Sequence, residues 1–137
     1  MKTINCILLV DNFDADNYYN SIILKNAGLC NHLKTAISGI EALEYLKNAS
    51  ENDQHGSFPI PDILFLDINM PGMNGFEFLE EFKKLDEKLK SSVVIVLLTT
   101  FLNSEDRKRA LQYKEIKEIL IKPLTIEVFN QLIEKHF

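Results

Sequence analysis

Short apolar runs alternate with amphipathic, helix-like segments along this 137-residue chain. The clearest run, Ile63 to Leu66, is too short for a helix and apolar on both faces, which is typical of a strand covered on both sides in a parallel sheet. The other runs lie at Ile4 to Val10, Leu33 to Ile37, Ser92 to Leu98 and Ile116 to Ile121. Because strand and helix alternate five times and parallel crossovers are right-handed, we predict a doubly wound α/β fold with helices on both faces of a five-stranded parallel sheet.

Residues that commonly begin or end helices support these segments. Asn74 with Glu77, and Ser38 with Glu41, have the spacing of a capping box at a helix start. Gly28 stands where a helix can end in a left-handed conformation. After the first strand, apolar residues recur at helical spacing, so we expect an amphipathic helix with these residues on its apolar face. They are Tyr18, Tyr19, Ile22, Ile23 and Ala27.

The composition, 46% hydrophobic and 26% charged residues, is that of an ordinary globular protein. No apolar run is long enough to cross a bilayer, and the N-terminal run meets Asp11 before it could serve as a signal peptide, so we expect a cytoplasmic protein without membrane contact. Cys6 lies in an apolar run and Cys30 in a predicted loop, without a C-x-x-C or Cys/His cluster, so we expect no structural disulfide. The net charge of −5 argues against nucleic acid as a partner.

Most of the predicted strands end in a polar side chain. Asp11 and Asn12 follow the first strand, Asp67 the third, Thr99 the fourth and Lys122 the fifth. Because the carboxyl ends of parallel strands share one edge of the sheet, we expect these side chains to converge on one pocket. Carboxylate oxygens are the ligands that Mg²⁺ prefers, and a hydroxyl beside an ammonium suits the charged oxygens of a phosphoryl group.

Four motifs at these strand ends resemble one family over essentially the whole chain. They are Leu-Leu-Val-Asp at 8–11, Leu-Asp-Ile-Asn-Met-Pro-Gly-Met-Asn-Gly at 66–75, Leu-Thr-Thr at 98–100 and Ile-Lys-Pro-Leu at 121–124. In this order they are similar to those of the receiver domains of two-component response regulators. The resemblance implies a (βα)5, flavodoxin-like three-layer sandwich, with residues 1–137 as a single receiver domain and no output domain.

The resemblance also implies a chemistry for Asp67. This residue would take a phosphoryl group from a phosphohistidine on a sensor histidine kinase or phosphotransfer protein, becoming an aspartyl phosphate. Thr99 and Lys122 would each bind a phosphoryl oxygen. An anionic carboxylate and an anionic phosphoryl group repel each other, so a divalent cation and the lysine must offset that repulsion.

The family pattern assigns the metal, Mg²⁺, to Asp11, Asp67 and the backbone carbonyl of Asn69. The family normally has a second acid where this chain has Asn12. An amide oxygen can still coordinate Mg²⁺, but one formal charge is lost beside the ion, so we expect weaker metal binding. Asp14 or Asp16 could compensate, although acids at these positions also suit the start of a helix.

Two further features depart from the family pattern. Ile119 stands three residues before Lys122, where many members have an aromatic residue whose rotation accompanies phosphorylation, so the signal would instead be transmitted by movement of the loop after Thr99. The segment from Asn48 to Pro59 is polar and longer than the family pattern leads us to expect, and we predict a surface loop there.

Several functions remain open at this stage. The leading hypothesis is a stand-alone receiver that signals by binding a downstream protein, and the alternative is a pseudo-receiver that binds partners without phosphorylation, suggested by Asn12 and Ile119. An aspartate-nucleophile phosphatase of the haloacid dehalogenase type needs a second acid two residues after its nucleophile, and Asp67 is followed there by Asn69. A flavodoxin-like flavin protein needs a phosphate-binding loop of Ser, Thr and Gly after the first strand, which this chain lacks.

Overall fold

A computed structural model describes residues 4–28, 30–52 and 58–137 of the chain. Strands and helices alternate from the N-terminus, as the sequence predicts, with one additional short helix before the fourth strand. In chain order, the elements are β1 (Ile4–Val10), α1 (Asp14–Ala27), β2 (Cys30–Ala36), α2 (Gly39–Asn52), β3 (Ile63–Leu66), α3 (Gly75–Phe82), α4 (Glu87–Ser92), β4 (Val94–Thr99), α5 (Ser104–Leu111), β5 (Ile116–Ile121) and α6 (Ile126–His136). Within the described ranges, no helix combines the length and apolar character that crossing a bilayer demands.

The five strands form one parallel sheet in the order β2-β1-β3-β4-β5. This arrangement confirms the predicted doubly wound α/β fold. β1 ends level with β3, where Val10 pairs with Leu66, and β4 ends level with β5, where Thr99 pairs with Ile121. β4 extends only two residues beyond β3. The residues that follow the strands are therefore gathered along one edge of the sheet.

Helices cover both faces of the sheet because successive strand residues point to opposite sides. On β1, Leu8 and Val10 join a core cluster with side chains of α2 to α5, including three buried phenylalanines of α3. Ile7 and Leu9 point the other way and join a cluster with α1 and α6, which contribute Leu24 and several residues of the last helix. A strand buried on both faces must be apolar at every position, and this explains the continuous apolar run at β3.

The buried face of α1 differs from the predicted one. Its buried residues are Asn17, Asn20 and Leu24, while Tyr18 is 70% exposed and Tyr19 is 45% exposed. Positions 17, 20 and 24 follow helical spacing, and Ile23 and Ala27 of the predicted face pack against the core, so the period was predicted correctly and the face in part. The reason is the polar strand end beside the helix: the Asn17 side-chain amide donates to the Asp11 carbonyl oxygen at 2.9 Å.

Two boundaries and one additional helix also differ from the sequence expectations. Cys30 begins β2 instead of lying in a loop, because it pairs with Ile4 of the buried strand β1. The helix α2 extends to Asn52, so the predicted loop from Asn48 to Pro59 begins later, and residues 53–57 lie outside the described part of the chain. The short helix α4, whose one buried residue is Leu89, was not predicted from the sequence.

The two cysteines occupy different environments, which predicts a difference in reactivity. Cys6 is fully buried in β1, and burial raises the pKa of its thiol to about 11. Cys30 is partly exposed, although burial also raises its thiol pKa. Because alkylation needs an accessible thiolate, a maleimide at pH 8 should modify Cys30 of the folded protein well before Cys6.

Intact-mass analysis checks this prediction, with Cys30→Ser as the control that should remain unmodified until denaturant is added. Equal rates of labelling at both thiols in the folded protein would show that the sheet opens readily around β1.

Candidate phosphoacceptor site

Four predicted site residues meet at the carboxyl edge of the sheet. Asp11, Asp67 and Thr99 are almost fully buried, and the side chain of Lys122 is 8% exposed. Main-chain hydrogen bonds that continue the sheet beyond the strands hold these residues in place. The Asp67 N–H donates to the Val10 carbonyl, and the Lys122 N–H donates to the Thr99 carbonyl. The side chains at the strand ends therefore lie together, as predicted from the sequence.

Both carboxylate oxygens of Asp67 accept hydrogen bonds. Oδ1 accepts from the Asn69 backbone N–H at 2.9 Å and from the Thr99 hydroxyl at 3.1 Å. Oδ2 accepts from the Lys122 ammonium at 3.0 Å. These bonds orient the carboxylate in one position at the end of β3, as a nucleophile requires.

The ammonium group of Lys122 lies between three carboxylates at the centre of the site. The ammonium donates to Oδ2 of Asp11, to Oδ2 of Asp16 at 2.8 Å and to Oδ2 of Asp67. Burial by itself lowers the pKa of this lysine, but the three carboxylates outweigh it, so the pKa is raised above its usual value. Lys122 therefore stays charged, and three carboxylates against one ammonium leave the cluster with an excess of two negative charges.

The buried position of Asp11 disfavours the charged form of its carboxyl. Burial raises the pKa of its carboxyl, and the hydrogen bonds from Lys122 and from the Phe13 backbone N–H only partly offset that effect. The lysine alone therefore does not fully stabilise the carboxylate form, and an additional cation at this edge would be favourable.

The site's residues fit Mg²⁺ in charge and in donor type. The two surplus negative charges match one divalent cation, and oxygens of Asp11 and Asp67 are hard ligands of the kind it prefers. Among the residues that the structure describes, no three Asp, Glu, His or Cys side chains are placed to hold a metal by themselves. A metal here would thus need the Asn69 carbonyl and water, with the half-buried Asn12 as a further oxygen donor.

The turn that carries Asp67 into the site depends on Gly75, the first residue of α3. Its backbone N–H donates to the Ile68 carbonyl at 3.0 Å, and a Cβ at this position would lie 2.6 Å from the Ile68 Cα. Asn74, the residue before Gly75, forms the predicted capping box with Glu77, and both reciprocal hydrogen bonds are present. The helix start is therefore packed directly against the backbone behind Asp67.

The structure shows two contacts that were not predicted from the sequence and one peptide-bond isomer that the sequence does not determine. Asn69 was assigned only a carbonyl role, but its side-chain amide also donates to the Thr99 hydroxyl at 3.2 Å. Asp16 was considered beside the metal, whereas the structure places it on Lys122. The Lys122-Pro123 peptide bond is cis. An acid in the first turn of α1 was the available signal for the Asp16 contact, but the sequence does not say which strand end that turn faces.

The profile of the response regulator receiver domain matches residues 7–134. The chain belongs to this family. The chemotaxis protein CheY of Pseudomonas aeruginosa is 31% identical over 131 residues, which cover 96% of this chain and 94% of that protein. A two-component response regulator structure from Cytophaga hutchinsonii is similar with a TM-score of 0.85 at 28% identity, covering 98% of this chain and 97% of that one.

A third relative is much longer than this chain. The sensor histidine kinase CheAY of Helicobacter pylori is 29% identical over 94% of this receiver, and the matched segment makes up 14% of the kinase. The receiver family is that of two-component signalling, so the likeness in sequence and fold confirms the family resemblance and the flavodoxin-like architecture.

The packing of Gly75 leads to a prediction about stability. Gly75→Ala should lower the free energy of unfolding by about 1–3 kcal/mol, because its Cβ would press on backbone atoms that cannot move independently. Gly39→Ala is the matched control, since Gly39 also begins a helix but its Cβ would meet the mobile end of the Met73 side chain. Urea unfolding compares the two, and an equal or larger loss for Gly39→Ala would contradict the packing argument.

Proposed function

We propose that this receiver accepts a phosphoryl group on Asp67 from the phosphohistidine of a sensor histidine kinase or phosphotransfer protein, with Mg²⁺ as its cofactor. The observation that supports it most directly is the Asp67 carboxylate, held between the Thr99 hydroxyl and the Lys122 ammonium at the end of a buried strand. The family match and the receiver-like segment in a sensor histidine kinase support the same donor class.

The proposed transfer is a displacement at phosphorus. A carboxylate oxygen of Asp67 forms the new O–P bond, the P–N bond to the donor imidazole breaks, and the imidazole leaves with the electron pair and takes up a proton. Thr99 and Lys122 would then each bind a phosphoryl oxygen. Mg²⁺, when bound, supplies charge neutralisation between the two anionic groups.

The rest of the proposal concerns how the signal leaves the domain. Residues 1–137 would act as one receiver domain of the CheY type, which the match to 94% of that protein's length supports. The phosphorylated form would bind a downstream protein through its surface, and neither nucleic acid nor membrane would be its partner. The chain would thus be a phosphoacceptor and signalling domain that catalyses its own phosphotransfer and dephosphorylation.

One observation favours a second candidate, a pseudo-receiver that binds partners without phosphorylation. Asn12 removes an acid from the edge where the metal would lie, so the metal-dependent step could be lost. A phosphatase has no comparable support, because Asn69 cannot act as an acid and its amide is bonded to Thr99.

Incubation with acetyl phosphate and Mg²⁺ should produce a single phosphoryl adduct on the wild-type protein, detected by intact mass. Asp67→Ala should abolish the adduct because it removes the attacking oxygen. The matched control is Asp86→Ala, since Asp86 is an exposed acid whose side chain does not cap its helix, and it should be labelled like wild type.

The alternatives give different results in the same assay. The absence of an adduct at every Mg²⁺ concentration would favour the pseudo-receiver, and repeated release of phosphate from esters would favour a phosphatase.

Asn12→Asp should tighten Mg²⁺ binding on the order of tenfold, because it adds a ligand charge beside the ion. Calorimetric titration measures this, with Asn48→Asp as the control that adds the same charge on an exposed position of α2. An unchanged dissociation constant for Asn12→Asp would mean that the residue at position 12 does not face the metal.

A further inference from the structure

The ammonium of Lys122 has no free donor. An ammonium has three N–H groups and no acceptor, and here one carboxylate occupies each of them. If an oxygen of the incoming phosphoryl group is to bind Lys122 while Asp67 is still a carboxylate, as the proposed function requires, one of Asp11, Asp16 and Asp67 must give up its bond. The structure distinguishes between these three acids.

Exposure identifies the acid that leaves most easily. The side chains of Asp11 and Asp67 are 6% and 7% exposed, whereas that of Asp16 is 39% exposed. A buried carboxylate that loses its cation has no water to replace it, which is costly. The carboxylate of Asp16 can be rehydrated, and ion pairs that are partly exposed contribute little to stability.

The position of Asp16 in the helix also makes its release inexpensive. It lies in the first turn of α1, where the helix dipole favours an acid whether or not a lysine is bound. A cavity of about 250 Å³ lies next to it, with room for a released side chain. The cavity is lined by Asp16, Tyr19, Asn20, Thr100, Lys122 and Pro123.

We propose that Asp16 is an intramolecular competitor of the phosphoryl group for Lys122, bound to the lysine before phosphorylation and displaced from it afterwards. The inference rests on the proposed function and adds a regulatory residue to the same site. Asp16 acts through Lys122, so it is a positioning residue. Its negative charge slows the arrival of an anionic donor, and its displacement couples the first turn of α1 to the phosphorylation state.

The test compares Asp16→Asn with Asp14→Asn in the acetyl phosphate assay with Mg²⁺. Asp14 is a matched control because it has the same charge, is exposed, lies in the same helical turn and makes no bond to Lys122. Asp16→Asn should accelerate labelling of Asp67 on the order of threefold to tenfold, the size expected for one partly screened charge. Asp14→Asn should change the rate by less than about twofold, and Asp16→Glu should restore a rate close to that of wild type.

A spectroscopic measurement separates displacement from a general charge effect. Backbone amide resonances of Ala15, Asp16 and Asn17 should shift when wild type is phosphorylated, because the Asp16 bond to Lys122 is lost. In the Asp16→Asn protein the same resonances should shift less, and in the Asp14→Asn protein they should shift as in wild type.

Several outcomes would overturn the inference. Slower labelling of Asp16→Asn would mean that Asp16 supports Lys122, and a rate equal to that of Asp14→Asn would mean that the contact has no effect on transfer. A more than roughly tenfold loss of Mg²⁺ affinity in Asp16→Asn would make Asp16 a metal ligand instead. In all three cases the proposed function survives, whereas the absence of any adduct in wild type and in Asp16→Asn would refute that function and this inference together.

Discussion

The ion cluster around Lys122 is the interaction on which the rest of this structure depends. Asp11 and Asp67 are buried at the ends of neighbouring strands, where two unpaired carboxylates would be strongly destabilising. Lys122 reaches them from the end of β5 and makes this arrangement possible. It does not neutralise them, because one ammonium faces two carboxylates, and Asp16 adds a third carboxylate to the same ammonium. The fold therefore tolerates an excess of negative charge at the edge where a cation and a phosphoryl group are proposed to bind.

The site combines fixed and movable parts, and the difference follows from their hydrogen bonding. The backbone around Asp67 and Lys122 is held by bonds that continue the sheet, and Gly75 packs the start of α3 directly against it. Asp16 depends instead on one partly exposed contact at the start of a surface helix. A rigid nucleophile beside a replaceable ion pair suits a site whose charge changes by a covalent modification, since most of the scaffold need not move.

Much of the fold follows from the sequence because its signals are local. An apolar run with no polar face, such as Ile63 to Leu66, is compatible with little other than a buried parallel strand. The capping box at Asn74 and the left-handed Gly28 depend on residues within a few positions of each other, and both were predicted. The convergence of Asp67, Thr99 and Lys122 required one additional rule, that parallel strands end on the same edge.

The features that were predicted wrongly from the sequence have a common physical cause, which is that long-range contacts can override local patterns. Asn17 and Asn20 face inward because the neighbouring strand end is polar, and hydrophobic periodicity cannot detect a polar buried stripe. Cys30 joins a strand because β1 offers it a partner, although the residues around Gly28 suggest a turn. In both cases the deciding neighbour lies on another element of secondary structure.

The sequence by itself determined the alternation of the five strands with helices, the position of Asp67 after a buried strand and the family of the chain. Only the tertiary structure decided which acids share Lys122, because their separations of 111, 106 and 55 residues leave no local pattern to read. Asp16 shows this most clearly. In the sequence it is an ordinary acid at a helix start. It becomes part of the site because the packing of α1 against the sheet brings that helix start within hydrogen-bond distance of Lys122, the residue that follows β5.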